Sequence, residues 1–157
     1  MIDAPQVIQT EARLAAVIHL TIPRSEIRTA MGPAIGEVMG AVKAQGIKPT
    51  RPWFTHHLKM DPDTFDFQVC VPISTPVAAV GRVTCAVMPP AKVARTIQHG
   101  PYDGSDGLAT AWSAFDRWIA ANGHVAGPDL YECYLTGPES GSTPEGWRTE
   151  LSRPLIS

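Results

Sequence analysis

The chain has 157 residues, a length that gives one domain with a sizeable buried core. With 44% hydrophobic and 18% charged residues it reads as folded rather than disordered, and a net charge of −2 argues against direct nucleic-acid binding, which needs a basic face. No apolar run approaches the ~20 residues that cross a bilayer, and MIDAPQVIQTEAR has neither the basic nor the apolar region of a secretory leader, so the expected location is cytoplasmic and away from membranes.

In chain order, RLAAVIHLTIP (13–23) is the first extended run. A helix over about 32–45 follows, with Ile35, Val38, Met39 and Val42 on one stripe, Pro33 in its first turn and Gly46 at its end. PWFTHHLKMDP (52–62) and FDFQVCVP (65–72) are extended, each closing at a proline. KVARTIQHG (92–100) is extended again. A second helix over 105–122 aligns Leu108, Ala111, Trp112, Phe115 and Ile119, and Gly123 ends it. DLYECYLTGP (129–138) and WRTELSRP (147–154) complete the chain. The three cysteines, Cys70, Cys85 and Cys133, form no CxxC and read as reduced thiols.

The order is therefore strand–helix–strand–strand, twice. It predicts an α+β fold of two pseudo-symmetric halves with antiparallel sheet, the helices on one side and a ligand groove between the halves on the other. GPAIGE lacks the lysine and the strand-to-helix setting of a phosphate-binding loop, so nucleotide binding is set aside.

Several stretches, taken together and in this order, carry a resemblance. They are PAIGEVM (33–39), RPWFTHH (51–57), FDFQVCVPI (65–73), HGPY (99–102) before a helix with Trp112, E-x-Y (Glu132, Tyr134) before Gly-Pro, and WRTEL-x-x-PL (147–155). They resemble the GyrI-like small-molecule-binding domain along almost the whole chain, residues 1–157 as one domain. The resemblance implies the fold already read from the pattern, a ligand groove, and a pocket carboxylate at Glu132 with aromatic neighbours Tyr134, Tyr102 and Trp112. Where the family often has a second glutamate before Val-Pro, this chain has Gln68. Members of the family serve as effector domains of AraC- and MerR-type regulators, as multidrug binders, as gyrase inhibitors and, in one branch, as hydrolases of cyclopropane-bearing alkylators.

Glu132 is also conspicuous without the family, because LYECYLT is otherwise suited to burial on both faces and an unpaired buried carboxylate is costly. Alternation puts Leu130, Glu132 and Tyr134 on one face, and Tyr131, Cys133 and Leu135 on the other. The second set suits packing under the helices, which leaves Glu132 facing the groove. A carboxylate ringed by aromatics suits lipophilic cations. Trp53 and Trp112 are the tryptophans placed near the groove, and rough register between the halves brings His57 to it. Neither a metal nor a cofactor is expected, since adjacent His56 and His57 point oppositely. The expected function is stand-alone binding of hydrophobic, cationic or aromatic small molecules by a monomer or homodimer. The alternative is a hydrolase in which Glu132 activates water.

Overall fold

The structure, a computed structural model, describes residues 1–156, the side chain of Met60 excepted. Eight strands and two α-helices run in the order β1 (Gln6–Gln9), β2 (Arg13–Pro23), α1 (Ile27–Ala44), β3 (Phe54–Met60), β4 (Thr64–Pro72), β5 (Thr84–Met88), β6 (Lys92–His99), α2 (Leu108–Ala121), β7 (Leu130–Thr136) and β8 (Arg148–Pro154). The expected α+β class and the repeated strand–helix–strand–strand order are both found. The chain divides into two compact units, Glu11–Pro90 and a second formed by Met1–Thr10 with the chain from Ala91 onward.

Within Glu11–Pro90 the strands pair in the order β3–β4–β2–β5, every pair antiparallel. In the second unit the order is β7–β8–β6–β1, again antiparallel. The orders match position for position: the first strand after the helix, the second strand after it, the strand before the helix, then an added edge strand. Each unit also carries a bulge in the strand after its helix, between His57 and Lys59 in β3 and between Tyr134 and Thr136 in β7. A bulge bends its strand and changes the aim of neighbouring side chains.

The cores explain the helices. Ala34, Val38 and Val42 of α1 pack on Ile18 and Leu20 of β2 and on Phe67, Val69 and Val71 of β4. Ala111, Phe115 and Ile119 of α2 pack on Ala94 of β6 and Leu151 of β8. Burying each large apolar side chain contributes about 1.5–3 kcal/mol, so these stripes decide where the helices lie.

Two boundaries differ from the sequence reading. α1 begins at Ile27 rather than near residue 32, and Pro33 lies inside it rather than in its first turn. Proline disfavours a helix interior, but Ile27, Ala30 and Met31 extend the buried stripe by two turns and offset that cost. The stripe is also rotated toward Ala34, leaving Met39 exposed. α2 begins three residues later than expected, because residues 105–107 belong to a turn. The edge strands β1 and β5 were not read from the sequence at all.

Candidate functional site

β7 sets the geometry. Its residues 130–134 are all buried, as the apolar pattern requires, and Glu132 is included at 9% exposure. Across the ladder Glu132 faces Leu151, and Leu151 belongs to the core beneath α2. The face bearing Leu130, Glu132 and Tyr134 is therefore the one that α2 covers. This corrects the expectation that Tyr131, Cys133 and Leu135 lie under the helix: alternation separates two sets of side chains but does not say which set a helix will cover.

The coverage is what makes the carboxylate tolerable. Trp112, in the second turn of α2, donates its indole N–H to Glu132 Oε2 at 2.7 Å. Tyr134, two residues along the same strand face, donates its hydroxyl to Oε1 at 2.7 Å. Both lengths are those of charge-assisted bonds, worth about 1.5–3 kcal/mol each. The indole can only donate, so the group it meets must accept. Among the described residues no lysine, arginine or histidine pairs with Glu132, so the carboxylate is held by neutral donors alone.

Tyr102 extends the aromatic wall. It stands edge-on to Tyr134, with ring centroids 5.8 Å apart, and is tilted against Trp147 at 4.8 Å. Burial pushes its hydroxyl up to about 12, with the charges of Glu139 and then Glu132 adding in the same direction. It therefore stays a neutral phenol across the physiological range. The turn that carries it is shaped by glycine. Gly100 has φ +125° and Gly104 φ +87°, and a Cβ on Gly107 would meet the Tyr102 carbonyl oxygen at 2.6 Å. On the far side, a Cβ on Gly137 would lie 2.6 Å from the Tyr102 hydroxyl and 3.0 Å from Glu139 Oε2.

Of the residues read from the sequence, Glu132, Tyr134, Trp112 and Tyr102 come together in one unit. Trp53 and His57 belong to Glu11–Pro90, where Trp53 packs against the α1 core. His57 is buried there, stacked on Phe67 with centroids 5.1 Å apart and edge-on to Phe65 at 5.5 Å. Gln68 Oε1 accepts from His56 Nδ1 at 3.3 Å, in register with it, on the opposite face of β4 from Phe67 and Val69. Three residues at the site were missed. Trp147 lay in a motif already noticed, whereas Thr149 is brought opposite Tyr134, and Gln98 opposite Thr149, only by strand register, which no sequence feature announces.

Comparison with known proteins places this arrangement in context. The C-terminal domain of EcmrR is 21% identical over 98% of each chain, with a TM-score of 0.84. EcmrR in its DNA complex is 22% identical over 97% of this chain, with a TM-score of 0.82, and this chain spans 57% of that protein. SAV2435, solved bound to tetraphenylphosphonium, is 11% identical over 99% of this chain and 95% of its own, with a TM-score of 0.66. A protein from Listeria innocua described as a hydrolase is 12% identical over 96% of this chain and 91% of its own, at 0.65. Such identities establish a shared fold. No curated protein matches the chain. Among the described residues no helix is long and apolar enough to cross a membrane. The GyrI-like small molecule binding domain matches residues 3–156, so the chain belongs to the GyrI-like small-molecule-binding family.

Proposed function

We propose that this domain binds lipophilic cations, with Glu132 as the charge partner and Tyr102, Tyr134, Trp112 and Trp147 as the aromatic surround. One observation carries the reading. A carboxylate at 9% exposure is compensated by two neutral donors and by no cation among the described residues. Its negative charge is thus stabilised in place yet left unneutralised, which is the state a ligand cation completes. Each oxygen already accepts one strong bond, so the site offers charge and aromatic faces more readily than new acceptor positions. Cations with dispersed charge and large apolar bodies fit this best. That a protein of the same fold, SAV2435, was solved bound to tetraphenylphosphonium supports the choice of ligand class.

The hydrolase reading fits less well. Trp112 and Tyr134 each take one lone pair of the carboxylate and leave one apiece, but among the described residues no lysine, arginine or histidine hydrogen-bonds Glu132 to share a proton-transfer step. The test is calorimetric titration with tetraphenylphosphonium and with triphenylphosphine oxide, a neutral relative. Saturable one-to-one binding that favours the cation is expected. Absence of cation binding, or stronger binding of the oxide, would overturn the proposal.

A further inference from the structure

Opposite Tyr134 and on the strand beyond, two polar atoms have no partner among the described residues: Thr149 Oγ1 and Gln98 Oε1, on side chains with no solvent exposure. Buried polar atoms are almost always satisfied in folded proteins, so two neighbouring exceptions ask for a donor. They are neighbours by register, since Tyr134 lies opposite Thr149 on β8 and Thr149 lies opposite Gln98 on β6. Thr149 shares its strand face with Leu151, and Gln98 shares its face with Ala94, so both sit on the α2 side with Glu132. The orientation of Gln98 is fixed. Its Nε2 donates to the carbonyls of Pro101 at 3.0 Å and Asp106 at 3.2 Å, and a reversed amide would set an oxygen against those two oxygens. Its Oε1 therefore remains an acceptor. Glu132 has Leu151 as its direct partner, which makes Thr149 its diagonal neighbour, about 7–8 Å away.

We propose that Thr149 and Gln98 form a second subsite that receives an N–H or O–H group carried on the apolar body of the ligand. The preferred ligands are then lipophilic cations with a hydrogen-bond donor on their apolar body. The inference rests on the cation reading of Glu132 and refines it. The Pro101 and Asp106 carbonyls that Gln98 holds belong to the glycine-rich turn carrying Tyr102, so the subsite adjoins the segment that carries that ring.

Three probes test it: benzyltriphenylphosphonium, its para-hydroxyl derivative and the para-methoxy ether of that derivative, each titrated calorimetrically into the full chain and its variants. The wild type should favour the hydroxyl probe over the ether roughly tenfold, the worth of one hydrogen bond. Thr149→Val should cut that preference several-fold, with Gln98 Oε1 left as the remaining acceptor, and Thr149→Ser should restore it; an unchanged preference in Thr149→Val overturns the role of Thr149. Thr149→Val should also melt no lower than the wild type, because no bond in the folded chain is lost; a lower melting temperature would mean that the hydroxyl serves the fold. Equal affinities for hydroxyl and ether in the wild type, as a site filled only by water would give, overturn the subsite and leave the cation reading standing. If none of the three binds, the cation reading fails and takes the subsite with it.

Discussion

Replacing Glu132 by glutamine removes one charge while keeping shape, and its consequences follow from the two bonds at the carboxylate. Trp112 can only donate, so the new amide must turn its oxygen to the indole and its NH2 to Tyr134. The Tyr134 hydroxyl then rotates and accepts instead of donating. Both contacts survive as neutral bonds, and the loss of charge assistance is offset because no ion needs to be buried. Stability should therefore change by no more than about 1 kcal/mol in either direction. Binding should change much more. A cation centred about 6 Å from the carboxylate gains roughly 3 kcal/mol at an effective dielectric near 20, so its affinity should fall on the order of 100-fold. A neutral aromatic of similar shape should lose less than about threefold, since it has no charge to pair. Calorimetry with tetraphenylphosphonium and triphenylphosphine oxide measures both, and a thermal melt checks the fold. Equal losses for the two ligands would refute the reasoning, and a melting temperature many degrees lower would show that the charge serves the fold instead.

Other expectations concern the surroundings of the carboxylate. Gly137→Ala places a methyl 2.6 Å from the Tyr102 hydroxyl and should push the ring away from Trp147; tetraphenylphosphonium should then dissociate faster and bind several-fold more weakly, and unchanged kinetics would show that Tyr102 does not wall the site. Tyr102 should ionise late in an absorbance titration, near pH 12, and Tyr102→Phe should remove its share of the late absorbance change. Because the folded value lies above the unfolded one near 10, its stabilising contribution is whole below pH ~10 and fades as pH rises toward 12; a wild type that gains stability across that interval relative to Tyr102→Phe contradicts the assignment. A thiol reagent should label Cys85 alone in the native protein, since Cys70 and Cys133 are buried and burial drives the Cys70 thiol well above its ordinary range; labelling at all three positions without denaturant would contradict the packing.

The parts of this fold that were legible are those where one physical signal dominates. The α2 stripe of Ala111, Phe115 and Ile119 is apolar, evenly spaced and bounded by Gly123, and helix and core agree with it. The α1 stripe misled because Ala34, its most buried member along with Val38, carries too little apolar bulk to mark the centre, while Met39 carries much and faces water. Pro33 misled for a related reason: tertiary packing of Ile27 and Met31 outweighed a strong local preference. β1 and β5 were illegible because short edge strands pair on one side only and need no apolar alternation; the VIQ of β1 and the exposed Val87 of β5 resemble loop.

The site divides along the same line. Glu132 could be singled out because a lone charge in an apolar strand is a local anomaly. The face it occupies could not, because alternation fixes only the relation between neighbours on one strand. What decides the face is a residue 20 positions away: Trp112, on the rim of the α2 stripe, has enough apolar ring to belong to the core and one N–H that must find an acceptor. Had α2 packed on the other face of β7, that N–H would have met the side of Cys133, and Glu132 would have lost its donor from the helix. The carboxylate and the helix thus select each other's position. The consequence for function is that the charge is held without being cancelled, because the indole supplies a dipole rather than a cation. A lysine at position 112 would have satisfied the same oxygen and closed the site to ligand cations. The tryptophan satisfies it without cancelling the charge, as the proposed cation site requires.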